Sequence, residues 1–444
     1  MGSRSRLVPR GGGEHLVTII ADDLSGATDS AVACAERGLD TVVALVDTSN
    51  NGRAEAIAFD ADTRRRSRRA AAAETARLVR SHANMSSGIL FKKIDSTLRG
   101  HIGAEIAALL SARRGTTRSV LRQRTIVVLA PAFPAQGRTT LQGRQLLNGV
   151  PLEATELWQR ETIADNASLL DMMSRSDLES ELVPIETVRA GARAIRAAMV
   201  DVADRIDILI CDAQTEEDLT AVAQASLDID VDPVWAGSAG LIGHLLDAAK
   251  VSGQGRPLPQ LTSFAGPLLF VVGSLSSVSR GQAEFLAAED IIVLTIGGPT
   301  FDDVTANISD RFAAALAAGK DVLVMSTAAV SPGLDDASPL STTLRDLIAP
   351  HAGRIGGLFA TGGETARVVL TGMGITSLRP VAEIERGIPL SIAVGARPLP
   401  VITKAGAFGD ATTMLNCRRV LRECNSTAIL PALSPKMRIW PTIL

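Results

Sequence analysis

Residues 92–99 read Lys-Lys-Ile-Asp-Ser-Thr-Leu-Arg and are followed by Gly100. Two lysines, an aspartate, two hydroxyls and an arginine in eight positions are more than a plain ion-paired turn needs. Lys93 and Arg99 offer charge-assisted donors for a carboxylate or a phosphate, and Asp95 with Ser96 can read substrate hydroxyls. An acidic block precedes them. Asp22 and Asp23 stand side by side, with Ser25, Gly26 and Asp29 just beyond. Adjacent carboxylates repel unless a cation, a hydroxyl or backbone N–H groups compensate. One of the pair can be a helix N-cap, and at least one is expected to have a functional role. Two further segments carry cations: Phe59-Asp60-Ala61-Asp62-Thr63-Arg64 and Pro131 to Arg138 (PAFPAQGR). Within the basic run Arg64 to Arg69, most arginines read as a solvated helix start; Arg64, nearest the preceding apolar run, is the one placed to face a pocket.

The second half has a different vocabulary. Gly273-Ser274-Leu275-Ser276-Ser277, Thr361-Gly362-Gly363-Glu364-Thr365 and Lys404-Ala405-Gly406-Ala407-Phe408-Gly409-Asp410 are turns rich in glycine and small residues. Such turns, leading into helices, present free backbone N–H groups suited to phosphate. Each alone is weak, and three in one region indicate a nucleotide site. Gly237 to Gly240 reads equally as a structural helix start. No G-x-x-x-x-G-K-[ST] loop, strand-placed G-x-G-x-x-G or protein-kinase signature is present. No histidine pair has metal-ligand spacing. His101, after the Arg99-Gly100 turn, reads as a surface or capping residue.

These blocks share a position: each follows a short apolar run. Val17–Ala21, Thr41–Leu45, Ala56–Phe59, Gly88–Phe91, Thr125–Leu129 and Ile206–Cys211 alternate with helical stretches such as 70–81 and 103–112. The alternation restarts at Leu268–Val272, Ile291–Thr295, Asp321–Met325, Gly357–Ala360 and Leu399–Thr403. This predicts an α/β fold of two domains, each a mostly parallel sheet flanked by helices, with ligands beyond the carboxyl ends of the strands. Residues 251–267, rich in Gly, Pro, Ser and Gln, are the expected linker. The domains are placed at 15–250 and 265–444.

Composition narrows the function classes. In 444 residues the net charge is −3, tyrosine is absent and aromatics are 3%, which disfavours a nucleic-acid surface. No apolar run is long enough to span a bilayer. Cys34, Cys211, Cys417 and Cys424 are scattered and read as buried thiols in a reducing compartment. The first 14 residues, with LVPRG, look like an expression tag and are set aside. A strand then starts directly, without room for a signal peptide, and a cytoplasmic protein is expected.

Taken in order, ADDLSGATD, KKIDSTLRG, PAFPAQGR, GSLS, TGGET and KAGAFGD resemble the four-carbon acid-sugar kinase family, from Val17 to about Leu421. The resemblance implies an N-terminal sugar-acid domain, a C-terminal nucleotide domain, and ATP with Mg²⁺ phosphorylating a threonate-, erythronate- or oxo-tetronate-type substrate. Carried over, Asp22, Asp23, Arg64, Lys93, Ile94, Asp95, Ser96 and Arg99 would hold the acid, with Asp23 or Asp95 as the catalytic base. Ser274, Thr361, Gly362, Gly363, Glu364, Gly406 and Gly409 would hold ATP. Two positions depart from the family pattern: Asp60-Ala61-Asp62-Thr63-Arg64 closes the third strand, and Arg280-Gly281 precedes Gln282. Both leave the substrate's identity open. Arg64 and Lys93 are expected to clamp the carboxylate, and closure about residues 251–267 to exclude water. The partners implied are a sugar acid and ATP, with no nucleic acid or membrane and a homo-oligomer allowed. The alternative is a sugar-acid sensor that binds without transfer.

Overall fold

The computed structural model describes residues 15–47, 54–82, 88–116, 124–160, 166–229, 231–254, 266–273, 276–297, 301–326, 339–395, 398–427 and 438–439. The chain forms two compact units, one of Met1–Asp40 with Ser49–Gln254 and one of Thr41–Thr48 with Gly255–Leu444.

In chain order the first eleven strands are β1 (Val17–Ala21), β2 (Thr41–Ala44), β3 (Ala56–Asp60), β4 (Ile89–Lys93), β5 (Thr125–Ala130), β6 (Arg138–Leu141), β7 (Arg144–Leu147), β8 (Val150–Pro151), β9 (Ser180–Val183), β10 (Ile208–Cys211) and β11 (Asp232–Gly237). In the first unit β9-β10-β5-β11-β4-β1-β3 lie side by side with every pairing parallel. Strands β1, β3, β4, β5 and β10 are buried at every residue. Helices on both faces of a parallel sheet demand this, so the strands read as continuous apolar runs rather than alternating ones. β6, β7 and β8 form a separate antiparallel meander after the PAFPAQGR turn.

The second unit contains β12 (Leu268–Val272), β13 (Ile292–Ile296), β14 (Val322–Ser326), β15 (Gly357–Thr361), β16 (Ser377–Glu385), β17 (Ile388–Val394), β18 (Pro400–Lys404) and β19 (Arg438–Ile439). β13-β14-β12-β15-β18 are parallel, and the sheet continues antiparallel through β17 and β16, with β2 and β19 both pairing β16. Its core is apolar throughout, with Phe270 and Phe359 stacked at 5.4 Å between centroids.

Two features differ from the sequence reading. The apolar run at 41–45, expected in the first domain, supplies β2, whose Val43 and Ala44 register with Leu378 and Ser377 of β16. Chain adjacency favours the first unit, but the unpaired edge of β16 is the partner this short strand takes. The β16–β17 hairpin itself was not anticipated. Its turn is carried by Gly387 at φ +78, and an Arg-Gly pair is a weaker turn signal than Asn-Gly. Of the expected linker, residues 255–265 lie outside the described residues.

Candidate active site

Register explains why distant blocks meet. Ala21 lies opposite Asp60 on one side and Lys93 on the other, Lys93 opposite Gly237, and Gly237 opposite Ala130. Five strands therefore end flush, and their following loops share one rim. The strand order reverses at β1: the chain passes to β3 on one side, then to β4 on the other. Such a switch point opens a crevice beyond the strand ends, here between the Asp22–Asp23 and Lys93–Asp95 loops.

Arg64 ties these loops together. Its Nε donates to Asp22 Oδ2 and one terminal nitrogen to Asp23 Oδ2, both at 2.6 Å, while the other stands 3.5 Å from Asp95 Oδ1. Asp23 also caps the helix Leu24–Ala35, its Oδ1 accepting from the Gly26 amide at 2.8 Å. The expected capping role of this aspartate is present, and its second oxygen goes to Arg64. Asp95 accepts from Thr97 Oγ1 at 2.5 Å and from Arg99 through Nε at 2.7 Å and a terminal nitrogen at 2.9 Å. Burial opposes ionisation of Asp95, but Arg99 and then Arg64 outweigh it and hold the carboxyl well below the usual range. Asp22 is governed the same way: burial raises it, while Arg64 and then Lys93 bring the net shift downward. Its Oδ1 is buried and accepts no hydrogen bond among the described residues.

Lys93 is 5% exposed. Among the described residues its ammonium has no hydrogen-bond or ion-pair partner, although its field reaches Asp22. A Cβ on Gly26 would lie 2.6 Å from its Nζ, so any larger residue there would displace the lysine's tip. The loops carry backbone strain. Asp62 and Leu98 sit at φ +50 and +57, and Gly100 at +90; for a leucine this region is costly and persists where packing over-determines it.

Several supports escaped the sequence reading. Lys92, fully buried, approaches Glu105 Oε1 at 3.3 Å, and the same oxygen accepts from Thr63 Oγ1 at 2.5 Å. Thr63 and Arg64 also donate their amides to the Asp22 carbonyl. Glu105 thus fixes the residue before Arg64. As the lone acid in the first turn of the helix Ile102–Thr116, it would be read as a helix-dipole partner, so nothing local marked it. Gln145 on the meander donates to the Ser96 carbonyl at 2.9 Å. Buried Asp212 accepts from the Gln142 and Gly143 amides at the meander's tip, with burial raising its carboxyl.

The remaining expected residues are placed as follows. Ile94 is 1% exposed and bonds through its amide to Gly237 O, so its contribution is to position. Ser96 is half-buried between Asp95 and Thr97. Arg138 lies within electrostatic reach of Asp95, Arg99 and Asp29, bringing the PAFPAQGR block to the same rim. His101 bonds the Arg66 carbonyl at 2.6 Å, a loop-holding role. Ser238 Oγ donates to the Ala132 carbonyl, and a Cβ on Gly240 would strike that same oxygen at 2.6 Å. The Gly237–Gly240 turn is therefore close packing.

In the second unit Val272, Thr361 and Lys404 are flush across β12, β15 and β18, and the order reverses between β12 and β15. A Cβ on Gly273 would overlap Thr365 Oγ1 at 2.0 Å; glycine lets the first turn nest against the second. Gly362, at φ +93, caps the helix Gly363–Gly372 and donates its amide to the Lys404 carbonyl at 2.9 Å. Thr361 is fully buried, its hydroxyl 3.1 Å from Ser279 Oγ. Gly363 is buried and Glu364 half-buried. Gly406 is half-buried, and Gly409 is exposed at φ +82. Ser274 lies outside the described residues. Among the described residues no group of three or more His, Cys, Asp or Glu is arranged to hold a metal, and no helix is long and apolar enough to cross a membrane.

One unit whose strand ends gather cations and carboxylates, and another whose strand ends are glycine turns, are the parts of a small-molecule kinase. Comparisons with known proteins agree. Residues 17–245 match a family described as a sugar-binding N-terminal domain, and residues 269–414 one described as a nucleotide-binding C-terminal domain. A D-threonate kinase of Cupriavidus necator is 38% identical over 91% of this chain and 98% of its own. A D-threonate kinase of Salmonella typhimurium is 31% identical, with the same coverage of 91% and 98%. A solved structure described as a putative tRNA synthase from Salmonella typhimurium LT2 shares the fold, with a TM-score of 0.72 at 23% identity over 91% of this chain and 98% of that one. The chain belongs to the four-carbon acid-sugar kinase family.

Proposed function

We propose that this kinase of a four-carbon sugar acid uses ATP to phosphorylate a hydroxyl of D-threonate, the first unit holding the acid and the second the nucleotide. The observation that carries the acid site is Lys93: a nearly buried ammonium, unpartnered among the described residues, beside a rim of carboxylates that Arg64 keeps ionised. A substrate carboxylate would complete that ammonium's coordination, while the hydroxyls of the acid would bond Asp95, Ser96 and Asp23. Arg64 has three carboxylates within reach, so it organises the acceptors and leaves the substrate carboxylate to Lys93. The 38% identity to a D-threonate kinase favours that epimer over its relatives.

Phosphoryl transfer asks the protein for position and charge more than for covalent chemistry. The acceptor hydroxyl must lie in line with the γ-phosphate and give up its proton. Asp95, held well below the usual carboxylate range, is a poor proton acceptor, which leaves the base role to Asp23. Asp22 Oδ1, buried and accepting nothing among the described residues, suits a hydroxyl donor or a cation. Magnesium accompanying ATP would neutralise phosphate charge, its protein ligands limited to one or two carboxylates as is usual for this ion. In the second unit the turns at Thr361–Glu364 and Gly406–Gly409, with Ser274, would bind the phosphates through backbone N–H groups.

ADP release measured against D-threonate, erythronate and 3-oxo-tetronate tests the reading. D-Threonate should give the highest kcat/KM, with a phosphorylated acid as product. Tight binding of the acid with no ADP formed would instead identify a sensor. Asp23→Asn should abolish turnover; near-normal turnover there, with loss in Asp95→Asn, would move the base to Asp95.

A further inference from the structure

Lys404 ends β18 and is 1% exposed, yet no carboxylate among the described residues pairs with it. Its ammonium instead meets the carbonyls of Ala405 at 3.0 Å, Gly406 at 3.2 Å and Phe408 at 2.9 Å, and Ser279 Oγ at 3.3 Å. Gln282 draws in the Phe408 and Asp410 carbonyls from the other side, at 3.1 and 2.7 Å. Three carbonyls of one short turn are thus aimed at the lysine, and a fourth at Gln282. In a trans peptide the C=O and the next N–H point in opposite directions. The amides of Gly406, Ala407 and Gly409 therefore face away from the lysine, and among the described residues none of them donates a hydrogen bond. The adjacent amides of Gly406 and Ala407, with that of Gly409 beyond, are the kind of outward N–H group that forms an anion-binding concavity. The same ammonium reaches a second turn: Ser279 Oγ donates to the Gly406 carbonyl at 2.6 Å and lies 3.1 Å from Thr361 Oγ1.

We propose that Lys404 is a positioning residue of the phosphate site, turning the 405–410 loop so that its amides meet the nucleotide and coupling it through Ser279 to the Thr361 turn. The inference rests on reading the second unit as the nucleotide holder and deepens it. The lysine's charge, ion-paired with no carboxylate among the described residues and felt only at a distance by Glu385, finds its counter-ion in the phosphates. The titratable groups facing it are Cys417 from the helix Thr413–Thr427, a thiol that burial pushes up and so keeps neutral, and Glu385 at the end of β16, which accepts from Thr413 Oγ1 at 2.6 Å. Asp410, in the turn itself, is bonded to the Thr412 amide and hydroxyl. Burial brings the Lys404 ammonium down to about 8, so the charge behind the phosphates is lost in mild alkali.

Calorimetric titration of ADP into the full chain without any acid substrate, between about pH 7.5 and 9.5, reads this directly. The range lies above the last phosphate ionisation of the ligand. Wild-type affinity should fall by about tenfold or more as the lysine deprotonates. Lys404→Met should bind at least about tenfold more weakly at pH 7.5 and show no further alkaline loss. Lys404→Arg, charged throughout, should bind with an affinity flat across the range. Thermal unfolding checks that both variants fold; should neither do so, the wild-type profile decides alone. Wild-type affinity flat in pH, Lys404→Met binding like wild type, or Lys404→Arg retaining the alkaline loss would each overturn the inference while leaving the kinase reading standing. A wild type that binds no ADP at any pH would overturn both.

Discussion

In the first unit Arg64 meets Asp22 and Asp23 at 2.6 Å and Asp95 at 3.5 Å, while in the second unit Lys404 meets three carbonyls and a hydroxyl, the nearest at 2.9 Å. Both cations sit at flush strand ends and hold loops in place, yet their solvation is opposite. Three carboxylates around the arginine, with Arg99 and Lys93 beside them, make a nearly balanced cluster in which Lys93 is the cation without an ion-pair partner among the described residues. Carbonyls around the lysine leave its charge without an ion-paired carboxylate among the described residues, which burial makes expensive. The first arrangement suits a ligand that brings one carboxylate and several hydroxyls, since the paired carboxylates double as hydroxyl acceptors. The second suits a polyanion, because amide dipoles and an uncompensated cation all favour negative charge.

Folding lowers the proton affinity of groups in both clusters, so each adds stability as pH rises but in a different window, and acid offers the largest way to break the comparison. Asp22 and Asp95 have proton affinities lowered on folding. Their stabilisation is therefore full above the unfolded carboxylate range of about 4 and is lost as pH falls through the lowered native values. Lys404 is lowered as well, but as a base. Between about 8 and 10.5 the unfolded chain holds a proton the native lysine has released, so this group's contribution to stability rises with pH while its grip on phosphate weakens. Denaturant midpoints from pH 2 to 10 should decline steeply only below about pH 4. A decline beginning near neutrality would mean the carboxylate cluster is not held ionised by its arginines.

Arg64→Met comes next in size. It takes the paired cation from buried Asp22 and Asp23, while Asp95 keeps Arg99, and should cost about 3–5 kcal/mol, read as a shift of the unfolding midpoint, with ADP binding by the folded fraction unchanged. Lys93→Met removes a charge that makes no hydrogen bond or ion pair among the described residues and acts on Asp22 only through its field. It should fold normally and lose about a hundredfold in kcat/KM for the acid, at the upper end for hydrogen bonds to a charged group, with little change in KM for ATP. An equal loss at both substrates would erase the division of labour. Gly273→Ala is the mirror test in the second unit. Overlap with Thr365 at 2.0 Å forces the first turn off the second, at about 1–3 kcal/mol, and should weaken ADP binding while leaving acid binding intact.

These variants also mark what the sequence could and could not say. Strand-end positions were legible because parallel strands are buried along their length, so any cluster of charges or glycines must fall just past them; Asp22, Asp95 and Gly362 lie where this rule puts them. Partners across the sheet were not legible. Glu105 supports Arg64 through Thr63 from a helix that reads as ordinary, and Ser279 links two turns from a position that is one serine among several. Lys404 belongs to a turn that was recognised for its glycines, and its inward direction is a property of the folded loop. The place of β2 in the second unit likewise depends on an unpaired edge that no local pattern announces.

The smallest expected effect separates backbone strain from site geometry within the first unit. Gly100 and Gly149 both adopt left-handed conformations, at φ +90 and +80. A Cβ at Gly149 meets nothing within 4 Å, whereas one at Gly100 would stand 3.6 Å from Asp22 Oδ2 and 3.7 Å from the Arg64 backbone. These are ordinary contacts, so each alanine substitution should cost about 1–2 kcal/mol through its backbone alone. Equal shifts in unfolding midpoint with unchanged kcat/KM would show that the loop after Arg99 tolerates a methyl beside the carboxylates. If Gly100→Ala instead lost turnover that Gly149→Ala kept, the Asp22–Arg64 contact would be set to tenths of an ångström, and acceptor alignment would depend on the first unit's ion cluster more tightly than its stability does.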